Sequence, residues 1–307
     1  MLSPVTRGNL LLLLASFIWG TAFVAQRMAV DVVQPMTFNG TRFALGALVL
    51  VPFAFWRHGK GKETPALFNA STGFFVIGAL LAGMALFAGA TLQQVGLQYT
   101  TAGKAGFITG LYVVLVPILG LCIGYRPSIG EFFGAAVACA GLYLLSMQGG
   151  LSIAIGDAYV LAGTLFWATH VLLLAWLSPK LDCVRLALAQ FVVCAALNLV
   201  GAVLFETITM EGLKIAAMPI LYGGILSVGV AYTLQVVAQK DAPPTHAAVI
   251  LSLETVFAAL AGWVILNETM SGRGIIGAVL MLSGMLLAQI GPGKKAQNPG
   301  TETARIG

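Results

Sequence analysis

Residues 91–110 read TLQQVGLQYTTAGKAGFITG, and residues 233–252 read TLQVVAQKDAPPTHAAVILS. The run Thr91-Leu92-Gln93 returns as Thr233-Leu234-Gln235 at a shift of 142, and the same shift carries Ala102, Gly106 and Gly110 onto Pro244, Ala248 and Ser252. Upstream, Trp19, Thr21, Phe43 and Ala47 return as Trp167, Thr169, Phe191 and Ala195 at a shift of 148. Downstream, Gly134 and Gly141 return as Gly277 and Gly284 at 143. Consistent offsets separated by small indels are the mark of an internal duplication.

Composition says what is duplicated. Of the 307 residues 59% are hydrophobic and 9% charged, where a soluble domain gives about a quarter of its residues to charge. Apolar stretches near twenty residues, each long enough to cross ~30 Å of hydrocarbon as a helix, recur along the whole chain. Breaks rich in Pro, Gly and charge place ten spans at 9–28, 36–56, 73–95, 102–123, 128–147, 158–177, 184–205, 219–239, 245–266 and 272–290. The expected fold is all-α and polytopic, ten transmembrane helices in two five-helix repeats over 8–147 and 157–290, with a disordered cytoplasmic tail over 291–307. Five is odd, so the second copy enters the membrane upside down. An inverted pair of this kind puts a substrate site near the bilayer midplane between the repeats.

Pro35, Pro127, Pro219 and Pro244 fall at span starts, where a missing N–H costs nothing, and Asp157 is an acidic cap before the sixth span. Pro117 lies inside the fourth span and predicts a kink there. The first apolar stretch, 9–28, is longer than a signal peptide's and has a later counterpart, so it reads as a helix. Of the 16 Lys and Arg, Arg27, Lys104, Lys214 and Arg273 fall on one side of the membrane and Arg42 within a span; the rest collect on the side of the N-terminus. Basic loops stay cytoplasmic. Both termini are therefore expected in the cytoplasm of a multi-pass protein of a plasma or inner membrane.

The net charge of +5 comes from singly scattered basic residues, not a basic and aromatic surface, which excludes nucleic acid as a partner. Cys122, Cys139, Cys183 and Cys194 lie in apolar spans without metal-ligand or redox spacing. His58, His170 and His246 form no His-Glu-x-x-His pattern, and neither Gly-x-Ser-x-Gly nor a phosphate-binding Gly-x-x-x-x-Gly-Lys-Ser/Thr occurs. No catalytic residue, metal, cofactor or direct nucleotide drive is expected, and the chain does not read as an enzyme.

Counting ~1.5 Å per residue puts Trp19, Tyr112, Trp167, His170 and Glu254 within about 5 Å of the midplane. These are the candidates for a substrate pocket. Glu254 is the sharpest, because a carboxylate at the bilayer centre costs at least ~2.5 kcal/mol and should face a cavity or a partner, holding either a proton or a substrate's ammonium group. A hydrogen-bonded structural carboxyl is the alternative. His170, whose counterpart is Ala22, is a relay candidate or a satisfied packing residue. Arg42, ~9 Å in from the end of the second span, suits a carboxylate in fork geometry or snorkels to the headgroups; its counterpart is Gln190. Trp19 and Trp167 wall the pocket or pack the core. Gln93 and Gln235 are gate candidates through interhelical hydrogen bonds. The small residues of the fourth and ninth spans read as packing, and Glu268 and Arg273 as loop or cap residues.

The run Leu251-Ser252-Leu253-Glu254-Thr255-Val256-Phe257-Ala258-Ala259, followed by Gly262-Trp263 and Leu266-Asn267-Glu268, resembles the second repeat of the EamA family in the drug/metabolite transporter superfamily. Phe17-Ile18-Trp19-Gly20 and Arg42 resemble the first, and the likeness covers residues 8 to 290. One departure is Arg126, where the family often carries a Glu to match Glu268. The resemblance implies a ten-helix carrier, with many members exporting amino acids or other metabolites. The expected function is thus a secondary transporter of small amphipathic metabolites working by alternating access, with a proton as the candidate coupling ion. The competing classes are an uptake permease, a lipid flippase of the same architecture, and a membrane-embedded enzyme.

Overall fold

The computed structural model describes residues 3–59, 72–100, 102–146, 154–266 and 271–288, and among these residues all regular structure is helical. Among the described residues eight helical segments are long and apolar enough to cross a membrane, and two shorter apolar ones, Ile129–Leu144 and Gly272–Ala288, fall where the fifth and tenth spans are expected. The tail beyond 290 and Glu268 lie outside the described residues.

Helix ends follow from local chemistry. Helix α1 (Pro4–Val30) starts with Pro4 after Ser3, whose hydroxyl accepts the Thr6 N–H. Helix α2 (Pro35–Gly59) is capped from a distance. The Glu206 carboxylate, just past the end of α8 (Cys183–Phe205), accepts the N–H groups of Met36 and Thr37 at 2.7 Å each. That anion at a helix N-terminus also locks α2 alongside α8. The N-terminus of α8 is served by Asp182, which accepts from Val184 and Arg185. In α7 (Ile155–Leu177), Asp157 accepts the Ala154 N–H and the Thr100 hydroxyl, tying the helix to the connection after α3 (Thr72–Gly96).

Three expected single helices are interrupted. The fourth span is α4 (Ala102–Gly110) and α5 (Tyr112–Cys122), broken at Leu111. The expected kink thus lies well upstream of Pro117, which sits within α5. The ninth span is α12 (Pro244–Leu251) and α13 (Glu254–Leu266), broken at Ser252 and Leu253. Leu111 and Leu253 are equivalent at the shift of 142, and no proline stands near the second break. The break therefore belongs to the duplicated pattern, not to Pro117. In the eighth span, after α9 (Met210–Ile215) and α10 (Ala217–Leu221), Tyr222–Tyr232 winds as a π-helix before α11 (Thr233–Ala238). Such wide turns collect at functional sites. Helices α6 (Ile129–Ser146) and α14 (Gly272–Ala288) complete the chain. The α5–α6 turn uses Gly124 at φ 82°, a backbone that suits glycine.

Packing repeats itself in a reciprocal way. Helix α2 packs on α8 and α6 on α14, each against its own duplicate; α3 packs on α7 as the π-helix and α11 pack on α1. Single residues follow suit. A Cβ placed on Gly134 would lie 2.6 Å from the Gly284 carbonyl oxygen, and one on Gly141 would lie 2.5 Å from that of Gly277. Gly83 likewise abuts Val193, and Gly224 abuts Leu45, the equivalent of Val193 at the shift of 148. Crossed contacts of this kind are what a two-fold relation between halves requires. The centre is filled by Phe43, Phe191, Leu86, Leu174 and Leu186, all fully buried.

Candidate functional site

Between these helices lies a cavity of about 520 Å³, open space at its mouth included. The structure brings all eight candidate residues to its walls: Trp19, Arg42, Tyr112, Trp167, His170 and Glu254, together with Gln93 and Gln235. Spaced from position 19 to position 254, they meet because the interrupted helices and the reciprocal pairing converge on one point.

Glu254 is the first residue of α13, and its carboxyl accepts the hydroxyl of Tyr112, the first residue of α5, at 3.1 Å. Positions 112 and 254 are equivalent in the duplication, so the two breaks face each other across this bond. The start of α13 places the carboxyl at the positive end of a helix dipole, which offsets part of the cost of burying it. Among the described residues it makes no ion pair.

Arg42 is 2% exposed, so it is turned into the protein and not toward the headgroups. Its Nε donates to Asn39 Oδ1 at 2.9 Å, and its guanidinium lies 5.0 Å from the centroid of the Phe43 ring and 5.2 Å from that of Phe38. His170 Nε2 pairs with Gln190 Oε1 at 2.8 Å. Gln190 is the equivalent of Arg42, so the matching positions of the two halves carry a bound imidazole–amide pair in one and a guanidinium in the other.

The aromatic wall has a residue that sequence reasoning missed. The Tyr232 ring lies 4.5 Å from Trp19, 5.9 Å from Phe43, 6.1 Å from Trp167 and 6.2 Å from Phe191, centroid to centroid. It was available to periodicity, one turn before Gln235 on the same helix face. Gln26, two turns after Trp19, was available in the same way. Trp19 donates to the carbonyl of Ser227, a residue within the π-helix, at 3.2 Å, a backbone contact that sequence does not announce. Trp167 donates to Gln93 Oε1 at 3.0 Å, and Gln93 Nε2 to Gln26 Oε1 at 3.2 Å. Gln235 Oε1 has no partner among the described residues.

Beyond the cavity, His246 Nε2 and Asn9 Oδ1 meet at 2.7 Å, tying α12 to α1. In the connection between α5 and α6, Tyr125 donates to Glu131 at 2.9 Å; burial and that carboxylate push its phenol well above its ordinary range. Lys180, over the Trp176 ring at 4.5 Å, is lowered by its partial burial. Arg273 lies over Tyr143 at 5.2 Å, away from the cavity.

A bundle of membrane-length helices interrupted around a polar, aromatic-walled cavity defines a polytopic membrane protein of the transport type. The model of the EamA-like transporter family matches the chain twice, over residues 6–147 and 154–289. The chain belongs to that family. It is 33% identical to an uncharacterized transporter of Archaeoglobus fulgidus over 281 residues, covering 91% of this chain and 84% of the relative. Over 271 residues, 83% of this chain and 81% of the relative, it is 26% identical to the uncharacterized inner membrane transporter YedA of Escherichia coli. A solved crystal structure shares the fold with a TM-score of 0.75 over 92% of this chain and 96% of that one, at 19% identity.

Proposed function

We propose that the protein is a secondary carrier that exports small amphipathic metabolites, amino acids or their relatives, by alternating access, and that the cavity between Arg42 and Glu254 is its substrate site. The observation that carries this reading is the pair of buried ionisable side chains, one cationic and one acidic, that line a cavity in a bundle of membrane-length helices and make no ion pair among the described residues. Groups as costly as these in hydrocarbon are retained where a solute or ion passes. Residues 8–147 and 157–290 act as two inverted repeats, and the reciprocal glycine contacts of α6 and α14 support that symmetry. Trp19, Tyr112, Trp167 and His170 complete the binding wall.

Gln93 and Gln235 serve as equivalent gate residues. Gln93 is engaged by Gln26 and Trp167 while the side-chain Oε1 of Gln235 has no partner among the described residues, which fits a cycle that closes one gate as it opens the other. The basic residues orient the chain with both termini in the cytoplasm. Glu254 binds either a proton or the substrate's ammonium group.

The test compares extracellular metabolites of cells overproducing the wild-type chain with those of cells carrying Glu254→Ala at matched membrane levels. A defined set of amphipathic compounds should accumulate outside with wild type alone. Identical profiles would remove either export or the role of Glu254, and uptake or lipid movement would take its place.

A further inference from the structure

Two polar groups on the cavity wall have no hydrogen-bond partner among the described residues. The terminal guanidinium nitrogens of Arg42 make no hydrogen bond or ion pair among the described residues, although the side chain is 2% exposed. The Tyr232 hydroxyl, on a residue 6% exposed, likewise makes no hydrogen bond among them. Both residues line the cavity, and the Phe43 ring touches both: the guanidinium covers it, and Tyr232 tilts against it.

The duplication sets Arg42 beside its counterpart. At the equivalent of Arg42, Gln190 holds His170 through its Oε1, while its Nε2 has no partner among the described residues. Carried back through the same register, the position equivalent to His170 is Ala22, whose side chain has no acceptor. Asn39 turns its oxygen to Arg42 Nε and leaves its own Nδ2 buried without a partner. A buried donor left unsatisfied costs free energy, so an arrangement that accepts it to aim a guanidinium implies a ligand for that guanidinium.

The structure assigns Arg42 and the Tyr232 hydroxyl as a subsite for the carboxylate of the cargo, with Asn39 as the residue that positions the guanidinium. The cargo then sits in one orientation, carboxylate toward α2 and amine toward Glu254 on α13, despite the near-symmetric frame. A planar fork matches a carboxylate in two parallel hydrogen bonds, which a neutral amide cannot reproduce. This assignment rests on the carrier reading and deepens it.

The experiment uses the purified full chain in proteoliposomes preloaded with the twenty standard amino acids, with efflux followed by mass spectrometry. The amino acid that leaves fastest is then compared with its carboxamide and its decarboxylated amine. Wild type should move the acid at least about tenfold faster than either, since a lost charge-assisted pair is worth that much or more. Arg42→Gln should slow the acid about tenfold or more and bring the acid-to-amide ratio close to one. Tyr232→Phe, which keeps the ring and so the packing, should lower the same ratio about threefold or more. A folded Arg42→Gln or Tyr232→Phe protein that keeps the wild-type ratio overturns the subsite. Efflux of no amino acid above that of protein-free vesicles overturns instead the amino-acid carrier reading on which it rests.

Discussion

Glu254→Gln is expected to slow transport at least about tenfold and to flatten its dependence on pH. Glutamine has the same shape and still accepts the Tyr112 hydroxyl, so the bond that joins the starts of α5 and α13 survives. What disappears is the ability to carry a proton or a negative charge. A charged group deep in the bilayer costs a few kcal/mol, and its retention in a cavity argues for a task that an amide cannot perform. Tyr112→Phe removes only the donor and should have the smaller effect of the two. Rates are best compared in proteoliposomes over a range of internal pH, at equal reconstituted protein. A Glu254→Gln carrier with the wild-type rate and profile would make the carboxyl a structural group.

The largest loss of stability is expected where α6 and α14 cross. A Cβ on Gly141 would lie 2.5 Å from the Gly277 carbonyl oxygen and 2.7 Å from the Met281 nitrogen. Both are backbone atoms of a helix, so no side chain can swing aside. In lipid the association of helices depends on such close approach, because the bilayer supplies no hydrophobic drive between them. Gly141→Leu must push the helices apart, at a cost of roughly 1–3 kcal/mol by overpacking, and more where the whole seam opens. Thermal unfolding in detergent should show a clear fall in Tm. Gly272→Ala, where a Cβ meets nothing within 4 Å, should leave Tm unchanged. An unaltered Gly141→Leu protein would mean that α6 and α14 do not meet through these glycines.

Much of this was legible because a duplicated chain states its contacts twice. Apolar runs separated by Pro and charge locate the spans, since a helix that crosses hydrocarbon must satisfy its own backbone. Depth counting singles out Trp19, Tyr112, Trp167, His170 and Glu254 because polar and aromatic groups at mid-span are few, and Arg42 stands out as a charge within the second span. The backbone departures were not legible. The break at Leu111 and its twin at Leu253 carry no Gly-Pro signature, and the turn of Pro117 is accommodated inside α5. The π-helix over Tyr222–Tyr232 depends on how Gly223 and Gly224 seat against Arg42 and Leu45 of α2, a tertiary contact that no local pattern encodes. Tyr232 reads in sequence as one more aromatic of an apolar span, and the geometry places its ring at the hub of Trp19, Trp167, Phe43 and Phe191.

Alternating access itself is tested most directly by a single cysteine in the cavity. Thr109 lines it and is 3% exposed, and Cys122, Cys139, Cys183 and Cys194 can be replaced beforehand to leave Thr109→Cys as the sole thiol. Labelling with a membrane-impermeant maleimide is measured from each face of sealed vesicles, with and without an amino-acid mixture on one side. The carrier predicts that the thiol reacts from both faces and that substrate shifts the balance between them. A thiol that reacts from one face only, whatever is added, contradicts it.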